Sequence, residues 1–135
     1  MSIAYCLEKP KDNDISKYGV IIVEGWAFSI DENIEKIEIS YGRKKINAEL
    51  NIERKDVAQC HNKFYDKALH SGFRAEINLT DKEKNNEILL NVAIFSKSET
   101  LKIPNISIYP ENDNLNIKRS SQIALAVRGT VNYLK

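Results

Sequence analysis

The chain is poor in the residues that make special chemistry easy to see. Among 135 residues there are two cysteines, two histidines, one tryptophan, one methionine, three prolines and five glycines. With no export signal in view, two cysteines read as reduced thiols, so the fold has to stand on a hydrophobic core rather than on a disulfide framework. The glycines, at 19, 25, 42, 72 and 129, are isolated. That excludes the dinucleotide fingerprint and the phosphate-cradling loop, which need clustered glycines to bring backbone N–H groups onto phosphate. Charge of one sign is lacking too: the formal net charge is +1, far from the basic excess with which nucleic-acid binders neutralise phosphates. No nucleic-acid partner is expected. The longest apolar run, GVIIV at 19–23, is much shorter than the roughly 20 residues that cross a bilayer, and the opening MSIAYCLEKP has neither a basic n-region nor a long apolar stretch. A cytoplasmic location is the expectation, and in such a chain the sequons NLT (78–80) and NIS (105–107) have no consequence.

What is present suits a folded domain. Hydrophobic residues make up 42% and charged residues 29%, enough apolar material in 135 residues to bury a core. Alternation of apolar and polar residues dominates, the mark of strands with one buried face. Expected strands are SIAYCLE (2–8), YGVIIVEGWAFS (18–29), IEKIEISY (34–41), KINAELNI (45–52), GFRAEINLT (72–80), NEILLNVAIFS (86–96) and ETLKIPNISIYP (99–110). Gly25 interrupts the second where a bulge or a close backbone approach is needed, Gly42-Arg43 reads as a hairpin turn, and Pro104 marks the last strand as an edge. The stretch 53–71 breaks the alternation, with one short helical turn around Asp56 to Cys60.

Connections this short favour antiparallel pairing. The expected fold is all-β, an immunoglobulin-like antiparallel β-sandwich of about seven strands with a C-terminal helix, residues 1–112 forming the sandwich and 113–135 a basic amphipathic tail. In that tail Ile123, Val127, Val131 and Leu134 recur at helical spacing behind Ser120 or Ser121 as N-cap, and residues 114–135 hold Lys118, Arg119, Arg128 and Lys135 and no acid.

Reactive constellations are scarce. Cys60, His61, His70 and Asp56 are the only collection with metal-ligating chemistry, but no C-x-x-C or H-x-x-x-H spacing brings four donors to one tetrahedral point, so no metal and no cofactor are expected. Cys60 as a nucleophile lacks an aimed base with an orienting third group. Asp31 with Glu32, and Glu35 with Glu38, fall in a turn and on the polar face of a strand, where solvated surface accounts for them better than a glycosidase pair. No catalytic residue is expected. Trp26 has two readings: a core residue between the sheets, favoured because it follows VIIV and shares a face with Phe28, or a platform on which a sugar ring stacks. For a glycan surface Tyr41, Phe64, Tyr65 and Tyr109 are better placed, being in or beside loops.

VEGWAFS, an alternating strand pair, ERKDVA, SGFRAEINL and ILLNVAIFS follow one another between residues 20 and 108. In that order they resemble a β-sandwich module with the recurring pattern GWA, R-x-D-V-A and GF, attached to bacterial glycosyltransferases and related enzymes of cell-surface polysaccharide assembly. The resemblance implies a non-catalytic accessory module that binds polysaccharide or docks a glycosyltransferase domain. It implies framework roles for Gly25, Trp26, Arg54, Asp56, Val57, Gly72 and Phe73: Trp26, Val57 and Phe73 filling the core, the glycines serving the backbone, Asp56 capping the helical turn and Arg54 pairing with a carboxylate. The tail would then lead to a second domain or lie on the inner face of the membrane. Two rival classes remain: a purely structural interaction or homo-oligomerisation domain using the Pro104 edge or the tail, and an enzyme centred on Asp56, Cys60 and His61.

Overall fold

A computed structural model describes residues 2–16 and 18–110. The expected C-terminal helix and the 113–135 tail lie outside the described residues. Among the described residues nine strands form two sheets: β1 (Ile3–Lys9), β3 (Val20–Ser29), β7 (Gly72–Asn78) and β6 (Glu49–Ile52) in that order make one, and β2 (Asp14–Ile15), β9 (Thr100–Tyr109), β8 (Ile88–Ser96), β4 (Ile34–Tyr41) and β5 (Lys44–Asn47) the other. All neighbours are antiparallel except the short β2–β9 pair. This is the antiparallel sandwich expected from the alternation.

The alternation writes the core directly. In β7, Phe73, Ala75 and Ile77 are buried and the residues between them exposed; in β8, Leu90, Val92 and Ile94 are buried, with Asn91 exposed and Ala93 half-buried between them. Ile37 sits opposite Ile94 and Ile39 opposite Val92, so β-branched side chains meet directly across the ladder. Each such fully buried side chain contributes about 1.5–3 kcal/mol of transfer free energy.

Two features raise the strand number from seven to nine. The short β2 closes onto the end of β9, and KINAELNI, expected as one strand, is two. Its first half pairs with β4 and its second with β7, and the chain crosses between sheets at Ala48, which is buried and donates its N–H to the Ile37 carbonyl at 2.9 Å. Alternation does not reveal such a crossing, because both halves keep period two. Beyond it, Asn51 takes a left-handed backbone (φ 62°) where the β6–β7 register shifts. The Pro104 expectation holds: β2 covers β9 only at Ile108 and Tyr109, so β9 is an edge at Pro104.

Gly25 serves a close approach. Opposite it, β1 carries one extra residue, Glu8, between Leu7 (paired with Gly25) and Lys9 (paired with Glu24). A Cβ at Gly25 would collide with the Cys6 carbonyl oxygen.

The reading of Trp26 as a ring between the sheets is corrected. On β3 the side chains of Ile21, Val23 and Ala27 enter the inter-sheet core, so parity sends Glu24, Trp26 and Phe28 to the outer face. There α1 (Lys55–Cys60), a 3-10 turn (Asn62–Phe64) and α2 (Tyr65–Leu69) lie over the sheet. Phe28, Val57, Ala58 and Ala68 are buried in a second, smaller cluster against which Trp26 and Phe64 pack half-buried. Val57 thus fills this outer cluster, whereas Phe73, 1% exposed, fills the main core.

Candidate functional site

The R-x-D-V-A stretch builds the attachment of the helical layer. Arg54 precedes α1 and extends its guanidinium along two carboxylates. Its Nη1 and Nη2 donate to the two Glu8 oxygens at 2.8 and 2.9 Å, and its Nε and Nη2 donate to the two Asp56 oxygens at 3.0 and 2.8 Å. Both contacts match the planar fork of guanidinium to the planar carboxylate. The bulge at Glu8 supplies one partner, so Gly25, the bulge and Arg54 form one arrangement tying β1 to α1. The hydrogen bonds from Arg54 hold the Asp56 carboxyl at about 2, and those to Asp56 and then Glu8 raise Arg54 above its ordinary value. The expected cap by Asp56 is corrected. The residue at the cap position is Arg54, with no side-chain cap bond, and Asp56 sits inside the first turn with its carboxylate engaged by the guanidinium. Gly72 is required beneath this crossing: a Cβ there would stand 2.7 Å from the Ile52 carbonyl oxygen and 2.9 Å from Arg54 Cγ.

Over Trp26 the rings gather. Trp26 and Phe28 are stacked with centroids 5.9 Å apart, and the His61 ring lies 5.2 Å from Trp26 and 5.5 Å from Phe28. His61 is therefore a packing group in the helical layer. Cys6 and Cys60 are both free and exposed. Among the described residues no three His, Cys, Asp or Glu side chains come together in a group able to hold a metal.

The four aromatic candidates do not converge. Tyr41 is 7% exposed and belongs to the main core, so its reading as a glycan platform is corrected; the end of an alternating buried face took it inward with Ile37 and Ile39. Phe64 packs half-buried, 6.2 Å from Phe28, and Tyr65 begins α2 with 44% of its surface exposed. Tyr109 lies half-buried at the far end of β9, opposite Ile15.

A different place gathers polar groups. At the end of the sandwich where β3 finishes and β4 begins, a cleft of about 470 Å³ opens between the sheets and α2. Glu32, Asn33, Asn51, Asp66, Lys67 and His70 supply its polar lining, and Ala27, Phe28, Ile34, Ile37 and Leu50 its apolar surface. Part of the rim is fixed. Lys67 Nζ donates to the Glu32 carbonyl oxygen at 2.8 Å, and Glu32 Oε1 accepts from the Ser98 backbone N–H at 3.1 Å and hydroxyl at 2.9 Å. The Ser96 side chain, then Ser98, holds the Glu32 carboxyl below the usual carboxylate range. Asn33, Asn51, Asp66 and His70 have no side-chain partner among the described residues. In the sequence Glu32 reads as solvated surface, His70 only as one of a non-converging set, and the others carry no signal, because the cleft is assembled from three separate stretches, 27–37, 50–51 and 66–72. Only the broken alternation at 53–71 marked that something other than a strand was being built there.

No helix among the described residues is long and apolar enough to cross a membrane. No protein-family model matches the chain, and no curated protein matches it. Among solved structures it is similar to an endo-β-1,4-mannanase from Thermotoga petrophila, with a TM-score of 0.54, 14% identity and 82% of this chain covered. An engineered protein is similar at a TM-score of 0.53 and 9% identity, again over 82% of this chain. The likeness is one of fold, a β-sandwich domain. The chain spans about a fifth of the length of either structure, which is 20% of each.

Proposed function

We propose that this chain is a non-catalytic accessory module that binds glycan beside, or docks onto, a partner domain of bacterial polysaccharide assembly, in keeping with the GWA, R-x-D-V-A and GF pattern. One observation carries the reading. Every residue of that pattern serves the framework: Gly25 and Gly72 admit close backbone crossings, Arg54 joins Glu8 and Asp56, Trp26 and Val57 pack the helical layer, and Phe73 fills the core. Residues that recur for a shared fold rather than a shared reaction belong to a scaffold that presents a surface. The likeness to about a fifth of a chain named as an endo-β-1,4-mannanase supports the same reading, since there a similar sandwich is part of a longer, carbohydrate-acting protein. The proposed location is the cytoplasm, at the inner face of the membrane, beside a glycosyltransferase domain.

The test is two measurements on one preparation: calorimetric titration with polysaccharides, and reducing-end release from the same polysaccharides. Binding without release is the expected result. Release of sugar ends by the purified chain would contradict the non-catalytic reading, and an absence of binding would remove its glycan half. A second reading, self-association, rests on the β9 edge that β2 leaves open before Ile108, although Lys102 and Pro104 on that edge work against strand pairing. Light scattering that finds only monomer at every concentration removes that reading.

A further inference from the structure

Resting on the glycan reading above, we infer that the cleft between β3, β4, β6 and α2 is the saccharide site, and that its ligand is a neutral oligosaccharide. The size fits, since about 470 Å³ falls within the roughly 300–1,000 Å³ of small-molecule clefts. The chemistry fits better. Asn33, Asn51, Asp66 and His70 bring amide, carboxylate and imidazole groups without partners among the described residues to one opening, and such groups pair donor and acceptor with adjacent sugar hydroxyls. Ile34 and Leu50, both half-buried at the opening, give the apolar surface that the C–H faces of a pyranose need.

Charge selects among saccharides. The carboxylates of Glu32 and Asp66 stand against one ammonium, Lys67, and that ammonium is already bonded to the Glu32 carbonyl. With His70 neutral, a uronate or phosphorylated sugar would meet a lining of two carboxylates and one ammonium, formally negative, so an uncharged sugar is favoured.

The full chain and its Asp66→Ala and Asn51→Gly variants are titrated calorimetrically with mannohexaose, cellohexaose and maltohexaose, with a galacturonic acid hexamer as the anionic comparison. Asp66 is exposed and makes no ion pair among the described residues, and glycine accepts the backbone of Asn51, so both variants keep the wild-type melting temperature. At least one neutral hexamer binds, and each variant weakens it about three- to ten-fold, the loss of one net hydrogen bond. The anionic hexamer binds about ten-fold more weakly or not at all. Unchanged affinity in both variants overturns the cleft as the site and leaves the glycan reading standing. Failure of all three neutral hexamers overturns both. Tighter binding of the anionic hexamer overturns the inference about ligand charge.

Discussion

Replacing Gly72 by alanine adds a single methyl group at the crossing that holds the helical layer. Its Cβ would stand 2.7 Å from the Ile52 carbonyl oxygen and 2.9 Å from Ile52 Cβ and Arg54 Cγ, where ordinary contact begins near 3.4 Å. Relief therefore requires movements of about 0.5–0.7 Å. Neither neighbour is free to move. Ile52 is the ladder partner of Gly72, and the Arg54 side chain is fixed by four hydrogen bonds to Glu8 and Asp56. Overpacking of this kind costs about 1–3 kcal/mol, and alanine returns about 0.4–1 kcal/mol by restricting the unfolded chain. A net loss of about 1–2 kcal/mol lowers the melting temperature by about 4–8 °C in a domain of this size. Thermal unfolding followed by circular dichroism reads that loss. Trp26 lies directly opposite Gly72 on the same face, so indole emission should shift to the red as the layer lifts. Gly42→Ala is the comparison: nothing lies within 4 Å of that Cβ, and its cost of about 1 kcal/mol arises from φ +57° alone, with Trp26 emission unchanged. If Gly72→Ala unfolds within about 0.5 °C of wild type with the same emission, the steric reasoning is wrong.

Other expectations follow from the same geometry. In a double-mutant cycle of Arg54→Met and Glu8→Gln, chemical denaturation should give a coupling of about 1 kcal/mol, since the bidentate contact is strong but its Glu8 side is 36% exposed and screened. Phe73→Ala, at a site 1% exposed, should cost about 3–5 kcal/mol in the same denaturation experiment. Acid should destabilise the fold. The carboxyls of Asp56, Glu32 and Glu83 all lie below their ordinary values, through Arg54, through Ser96 and Ser98, and through Thr80 and Lys44 respectively. The unfolded chain thus binds more protons in this range, so melting temperature holds above the ordinary carboxylate range, from about pH 5, and falls towards about pH 2. A flat profile between those limits would contradict the assignments.

The sandwich was legible because strand burial has period two, and Ile37, Ile39, Phe73, Ala75, Leu90 and Val92 follow it without exception. The orientation of Trp26 was legible as well, in a signal given too little weight. Glu24 shares its parity, while the small residues Gly25 and Ala27 share parity with Val23. A glutamate on the tryptophan's face marks the outside of the sheet, and the helical stretch 53–71 was available to cover it. The crossing at Ala48 and the cleft were not legible, since both depend on segments far apart in sequence. Tyr41 misled because closeness to a turn was weighed above the alternation that carried it into the core.

The central claim separates a scaffold, centred on Arg54, from a recognition site, centred on Asp66. Paired titration and melting of Arg54→Met and Asp66→Ala with the tightest-binding neutral hexasaccharide tests it most directly. The expected result is a lowered melting temperature with intact affinity for Arg54→Met, measured well below its transition, and weakened affinity with an intact melting temperature for Asp66→Ala. The reverse pattern, with sugar affinity lost at Arg54 and retained at Asp66, would contradict it.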